Sequence, residues 1–531
     1  MRAKNPNRTV STSRSLPIVM VVVTLLLTAT AQAAAPGITG PTFNLTARAS
    51  FISQPDGSMI YSWGYGCSSA PTGFNPPVAR MPGANCPNMQ VPGPTLIVTE
   101  GQTVTVNLTN NLPAAAGNTS ILFPGFQVTA TGGAPGVLTG PAGDAAPGGT
   151  VSYSFTASSP GTRAYYSGTQ GDLQIEMGLY GAIIVLPSTI PTNCTTGVGA
   201  QNNLAAEAAH GEADFRLAAA AYDHPGSCYD REYLFQFSEI DPRIHRQAEE
   251  QVATANCALV TAPTCRLELQ IEPYHPAYFM INGRSMPDDM DSNYAAEYPH
   301  QPYNGNPHMH PGELVLLRII GQGRWQHPFH EHGNHVRILA RDGNLLLSAT
   351  DPSKLAGPLL FTTTTTPGLA MDGIFYWTGR GLNWDVYGHG YSGDTTPCVA
   401  DSNGYYTSAP GAINYYEWCA DHTHALEKAP FSAEIASGGP ATLPDSNILT
   451  NGAWYGGSPY LGPDATIRAV GSTGSTPPSG TIANPPTTEA GFAFMWHSHN
   501  EREITTNNIF PGGMLMMMLV DSREFQINEF F

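Results

Sequence analysis

The residues best suited to chemistry lie in two histidine clusters, His327-Pro-Phe-His330-Glu-His332 and Trp496-His497-Ser498-His499. Side chains two apart on an extended strand point the same way. Each His-x-His therefore presents two imidazoles on one face, an arrangement suited to copper or zinc. Between the paired histidines of the second cluster stands Ser498, where a copper electron-transfer site needs a soft thiolate. The candidate ligands are His327, His330, His332, His497 and His499. Copper is the candidate metal and zinc the alternative. Glu331, Glu501 and Glu503 are candidate outer carboxylates that orient the rings.

Other residues of the same types read differently. His308-Met-His310 and His422-Thr-His424 lack a partner motif and are expected to be solvent-facing loop histidines. His335, three past His332, is expected to face away from the cluster. Met514, Met516, Met517 and Met518 lie in a run that is apolar on both faces, as a buried core strand is. There is no Ser/His/Asp spacing of a hydrolase, no phosphate-cradling glycine loop and no basic stripe.

Strands must carry these side chains, and the chain offers many. Short Val/Ile/Thr/Tyr runs alternate with Gly and Pro, an all-β pattern of sandwich type. The expected strands are 94–98, 103–108, 150–155 and 181–185, then 232–237, 278–282, 313–320, 336–340, 374–377 and 514–520. An Ala/Glu-rich stretch at 197–222 reads as a helical or flexible linker. A Gly/Ser/Thr/Pro-rich excursion at about 380–488 interrupts the second β region before the last histidine cluster.

The 531 residues suffice for two or three domains and a sizeable core. Residues 1–33 read as a secretory signal: Arg2, Lys4, Arg8 and Arg14 precede an apolar run, and Ala31-Gln32-Ala33 forms a small-x-small cleavage site. The run is too short to span a membrane, and no later stretch approaches roughly 20 apolar residues. The expected location is secreted or periplasmic. Removing four of 23 basic side chains leaves 19 against 41 acidic, a formal charge of −22 that disfavours nucleic acid. Eight cysteines in an exported chain favour disulfides. Of about 105 pairings, the sequence-adjacent one is the working expectation: 67–86, 194–228, 257–265 and 398–419.

Four passages resemble the multicopper oxidase family. Val91-Pro-Gly-Pro-Thr-Leu96 with Glu100-Gly-Gln-Thr-Val104 is similar to its N-terminal strand pair. Gly161-Thr-Arg-Ala-Tyr-Tyr166, followed by Gly178-Leu-Tyr-Gly-Ala-Ile-Ile-Val185, is similar to the end of its first domain. The two histidine clusters are similar to its C-terminal copper motifs. The resemblance implies tandem cupredoxin-like Greek-key β-sandwich domains at 34–190 and 228–531, joined by a linker at 191–227. It also implies four His-x-His elements holding three coppers, and half of these are missing. Leu122 and Pro124 replace the first pair, and Tyr166 and Gly168 replace the second.

The blue-copper site is equally depleted by this resemblance. His327 matches one of its histidines, Ser498 takes the cysteine position, Glu503 takes the second histidine, and Met514 corresponds to the axial ligand after an insertion. Two-domain family members work as trimers with metal sites between subunits, so a homotrimer is the implied assembly. The leading functional expectation is an exported protein that binds one metal through the surviving histidines, without four-electron oxygen reduction. Two alternatives stand beside it: a copper-dependent oxidoreductase with a mononuclear or partner-completed site, and a metal-free scaffold that binds partners through its long excursion.

Overall fold

A computed structural model describes residues 35–196, 208, 211–380, 400–405, 418, 420, 457–461, 482–483, 490–521 and 526–527. The expected signal segment, His422 and His424, and most of the 380–488 excursion lie outside the described residues. The chain is all-β: two β-sandwiches in series, the first closing at Tyr180–Leu186 and the second opening at Arg231–Ile240.

The first sandwich pairs two five-stranded sheets. In one, Thr103–Asn110 and Thr150–Thr156 run antiparallel, with Val106 opposite Tyr153. Their valines, Leu108, Tyr153 and Phe155 are buried while the intervening Thr, Ser and Asn are not, as a strand's period of two requires. In the other, Tyr180–Leu186 lies between Gly161–Tyr166 and Leu96–Thr99. Trp63, Tyr65, Leu96 and Tyr165 fill the space between the sheets.

In the second sandwich, one sheet centres on Arg231–Ile240, Leu314–Gly321 and Ala370–Tyr376. The other follows the order His308–Met309, Leu515–Asp521, Ala490–Ser498, Pro328–Glu331, Thr362–Thr364. Arg231–Ile240 is buried along its whole length because it is covered on both faces. Its inner face meets Phe329, Phe494 and Trp496; its outer face meets the first sandwich, where Leu234, Ile320 and Ala370 pack on Ile97, Ala164 and Ile184. Polar bonds also cross this junction. Arg318 contacts Glu232 at 2.8 Å and Thr162 at 3.0 Å, and Asp372 accepts from the Thr162 hydroxyl at 2.6 Å.

Several expectations meet a different outcome. Pro242–Thr254 is a helix, capped by Asp241 accepting from the Arg243 amide at 3.0 Å, with Ile244, His245 and Ala248 inward. The described part of the Ala/Glu-rich stretch is not helical from 211 to 222, and its Leu217, Ala220, Ala221 and Tyr222 are buried. The excursion contributes a strand, Gly457–Leu461, which pairs with Ala490–Ser498. Disulfides join Cys67–Cys86, Cys194–Cys228 and Cys257–Cys265 as expected; Cys398 and Cys419 lie outside the described residues. No described helix is long and apolar enough to cross a membrane.

Candidate metal centre

One register places four imidazoles together. Pro328–Glu331 pairs antiparallel with Ala490–Ser498 so that His330 lies directly opposite His497, with Phe329 opposite Ser498 and Glu331 opposite Trp496. Directly opposed residues on one face are cross-strand neighbours. Phe329 and Trp496 point into the core, which sends His330 and His497 to the outer face. His332 and His499, two residues further on, join them. Ring centroids lie 4.9 Å apart for His330–His332, 4.7 Å for His330–His499, 5.2 Å for His332–His497 and 5.7 Å for His330–His497. The Trp496 indole N–H donates to the His332 carbonyl at 2.9 Å and fastens this edge to the core.

Neighbouring groups select the nitrogens. His330 Nδ1 meets the Thr362 hydroxyl at 2.8 Å, and His497 Nδ1 donates to the Ser498 carbonyl at 2.8 Å. His497 then turns Nε2 toward His332 Nε2, 3.3 Å away. Two nitrogens each about 2.0 Å from one tetrahedral ion lie about 3.3 Å apart. Burial, joined by the neighbouring imidazoles His332, His499 and His497, pushes His330 down to about 4. Burial pushes His497 down as well. Rings kept neutral near pH 7 are in the form that binds metal. Among the described residues, no set of three or more His, Cys, Asp or Glu side chains is arranged to hold an ion as it stands. The His332–His497 pair is at ligand spacing; a third nitrogen requires rotation of His330 or of His499, whose side chain is 53% exposed. The donor chemistry fits copper, and in position the His332–His497 pair fits it as it stands.

His327 does not join the four. It lies on the inner face with Ser498, and all of its ring is buried. Its Nδ1 faces Glu503 and its Nε2 faces Glu239, each at 2.9 Å, while Ser498 Oγ donates to Glu503. Three of the four positions that the resemblance assigned to the blue-copper site, His327, Ser498 and Glu503, therefore do converge. With Glu239 they offer a hydroxyl, two carboxylates and an imidazole already engaged at both nitrogens, a set without the thiolate of a soft copper electron-transfer site.

Of the expected outer carboxylates, only Glu501 meets the cluster, 3.4 Å from His499 Nδ1. Glu331 is buried and bonded by the Thr363 hydroxyl, and Glu503 serves His327. His335 stacks on Phe361 at 3.8 Å, outside the four-ring group. His308 and His310 are not solvent-facing, being only 1% exposed. His308 lies on the edge strand His308–Met309 and bonds Asp521 at 2.6 Å; His310, just past it, bonds Glu212 at 2.9 Å. Met514, Met516 and Met518 are core residues, as expected. Sequence reasoning missed Thr362 and Glu239. The threonine run 362–366 was one available signal, and a glutamate inside an apolar strand was the other.

Two of the vacated positions, Leu122 and Gly168, close on each other. Leu122 bonds Tyr166 through the backbone, its amide donating at 2.7 Å, and a Cβ at Gly168 would lie 2.7 Å from Leu122 Cγ. Tyr166 lines a cavity of about 130 Å³ with Gln322, Gly323 and Gly368 of the second sandwich.

The chain is similar in part to known proteins. Residues 82–189 match the multicopper oxidase family model. An L-ascorbate oxidase of Brassica rapa subsp. pekinensis is 37% identical over 98 residues, 18% of this chain and only 16% of that relative's length. Among solved structures, the multicopper oxidase mgLAC aligns over 90% of this chain and 86% of its own, at 15% identity and a TM-score of 0.44. A blue copper oxidase from Nitrosomonas europaea aligns over 90% and 85%, at 16% identity and a TM-score of 0.42. Over residues 82–189 the chain is multicopper-oxidase-like, and its paired sheets make it all-β.

Proposed function

We propose that this is an exported multicopper-oxidase-like protein whose domains, at 34–190 and 228–531, bind one copper through His330, His332, His497 and His499. The observation that carries the reading is the His330–His497 register together with the 3.3 Å Nε2 separation of His332 and His497. The family match favours copper over zinc. Copper at this outer face would be held by neutral imidazoles, with Thr362 and the Ser498 carbonyl fixing two ring orientations. With Leu122, Pro124, Tyr166 and Gly168 at the other ligand positions, the chain by itself does not build a three-copper cluster.

A second reading, a copper-dependent oxidoreductase, draws on the exposure of His499, which leaves the cluster open to small reductants. Copper loading followed by oxidase assay separates the two. Bound copper without turnover supports the first, and turnover that disappears in His497→Ala supports the second. Four-electron oxidase activity with blue absorbance would contradict both.

A further inference from the structure

The hydrogen bonds around His327 bear on its charge. Glu239 Oε1 accepts from the Arg324 amide at 2.7 Å and the Trp325 amide at 2.9 Å, and the Tyr274 hydroxyl is 3.3 Å away. Glu503 Oε1 accepts from the Asn500 side-chain amide at 2.8 Å. Ser498 Oγ accepts from the Asn500 backbone amide at 3.3 Å, so its own hydrogen goes to Glu503 Oε2. The Tyr274 hydroxyl lies closer to Glu176, at 2.7 Å, and its one hydrogen goes there; the Arg324, Trp325 and Asn500 amides and the Ser498 hydroxyl are the donors to the two carboxylates, the pattern around ionised oxygens. The remaining oxygen contact of each carboxylate is a ring nitrogen of His327, at 2.9 Å. With both carboxylates ionised they only accept, and both ring nitrogens then carry hydrogen. His327, Glu239, Glu503 and Ser498 are all at 0–1% exposure, where an unpaired charge is costly.

We propose that a proton takes the place of the metal at the blue-copper position. His327 stands there as an imidazolium at neutral pH between Glu239 and Glu503, and Ser498 in the cysteine position caps Glu503. This cation joins three elements: the strand Arg231–Ile240, the start of Pro328–Glu331 and the turn Glu501–Ile504. It supplies the central positive charge that a metal would supply, and it offers no electron route. The assignment does not depend on copper binding at the outer face.

Long-range ¹H–¹⁵N correlation of ¹⁵N-histidine-labelled, metal-free mature protein at neutral pH tests it. The wild-type spectrum should contain a histidine signal with hydrogen on both nitrogens that His327→Gln removes. Should His327→Gln fail to fold, Glu503→Gln identifies the same signal by lowering its titration midpoint by ~1–3 units. A neutral ring at His327 would overturn the proposal. So would copper that quenches the His327 signal in wild type with the appearance of blue absorbance.

Discussion

At the residue scale, function rests on which nitrogen each imidazole presents, and single neighbours decide that. The Thr362 hydroxyl holds His330 Nδ1 at 2.8 Å, so Thr362→Val should weaken copper binding by about 10–100-fold with little loss of stability. Competitive titration against a chelator would measure this. His327 yields a pH prediction of definite sign. Burial alone would lower its pKa, but the hydrogen bonds and charges of Glu239 and Glu503 outweigh burial and raise it from 6.5 to about 9. The folded value lies above the unfolded one, so the stabilisation is complete below 6.5 and is lost as pH rises through about 9. Thermal melts of metal-free protein should fall across that window in wild type and less so in His327→Gln. His330 has the opposite sign: its contribution is held above 6.5 and lost as pH falls toward 4. The histidines were legible in the sequence because His-x-His is a local pattern. Thr362 and Glu239 were not, since they reach the site only through pairing across 32 and 88 residues.

At the element scale, strand alternation sorts the chemistry. Trp496 and Ser498 face inward while His497 and His499 face outward, so neighbouring residues on one strand serve two different centres. The same rule puts His327 on the opposite face from His330, and this separates it from the metal set that spacing alone suggested. Strands were the most legible elements: the alternation in Thr103–Asn110 and the continuous burial of Tyr180–Leu186 follow directly from their side chains. The helix Pro242–Thr254 escaped notice because only three inward residues mark its face, although Asp241-Pro242 is a proper start signal. The burial of His308 and His310 was hidden because their partners, Asp521 and Glu212, are distant in sequence. At the junction, Arg318 is the element-level test. Its replacement by Met leaves Glu232 and Asp372 buried without their cation and should cost ~3–5 kcal/mol, measured by denaturant unfolding.

At the scale of the whole molecule, two sandwiches share an apolar junction reinforced by Arg318, and the metal face lies on the sheet remote from that junction. Loss of the first-domain ligands has not emptied their positions: Leu122 and Gly168 close on each other, and Tyr166 turns to the cavity between the sandwiches. The four-histidine face is open at His499, which is compatible with a neighbouring copy supplying further ligands there. A homotrimer is the proposed assembly, and sedimentation at micromolar concentration should give three times the mass of one chain; a monomer would remove it. The central claim is the copper site itself. Its most direct test is the metal content of the mature, disulfide-intact protein after copper loading, by elemental mass spectrometry with a parallel EPR spectrum. The account predicts about one copper per chain with a nitrogen-rich, non-blue signal, lost in His332→Ala and His497→Ala and retained in His327→Gln. Absence of bound copper in the folded wild-type protein would contradict it.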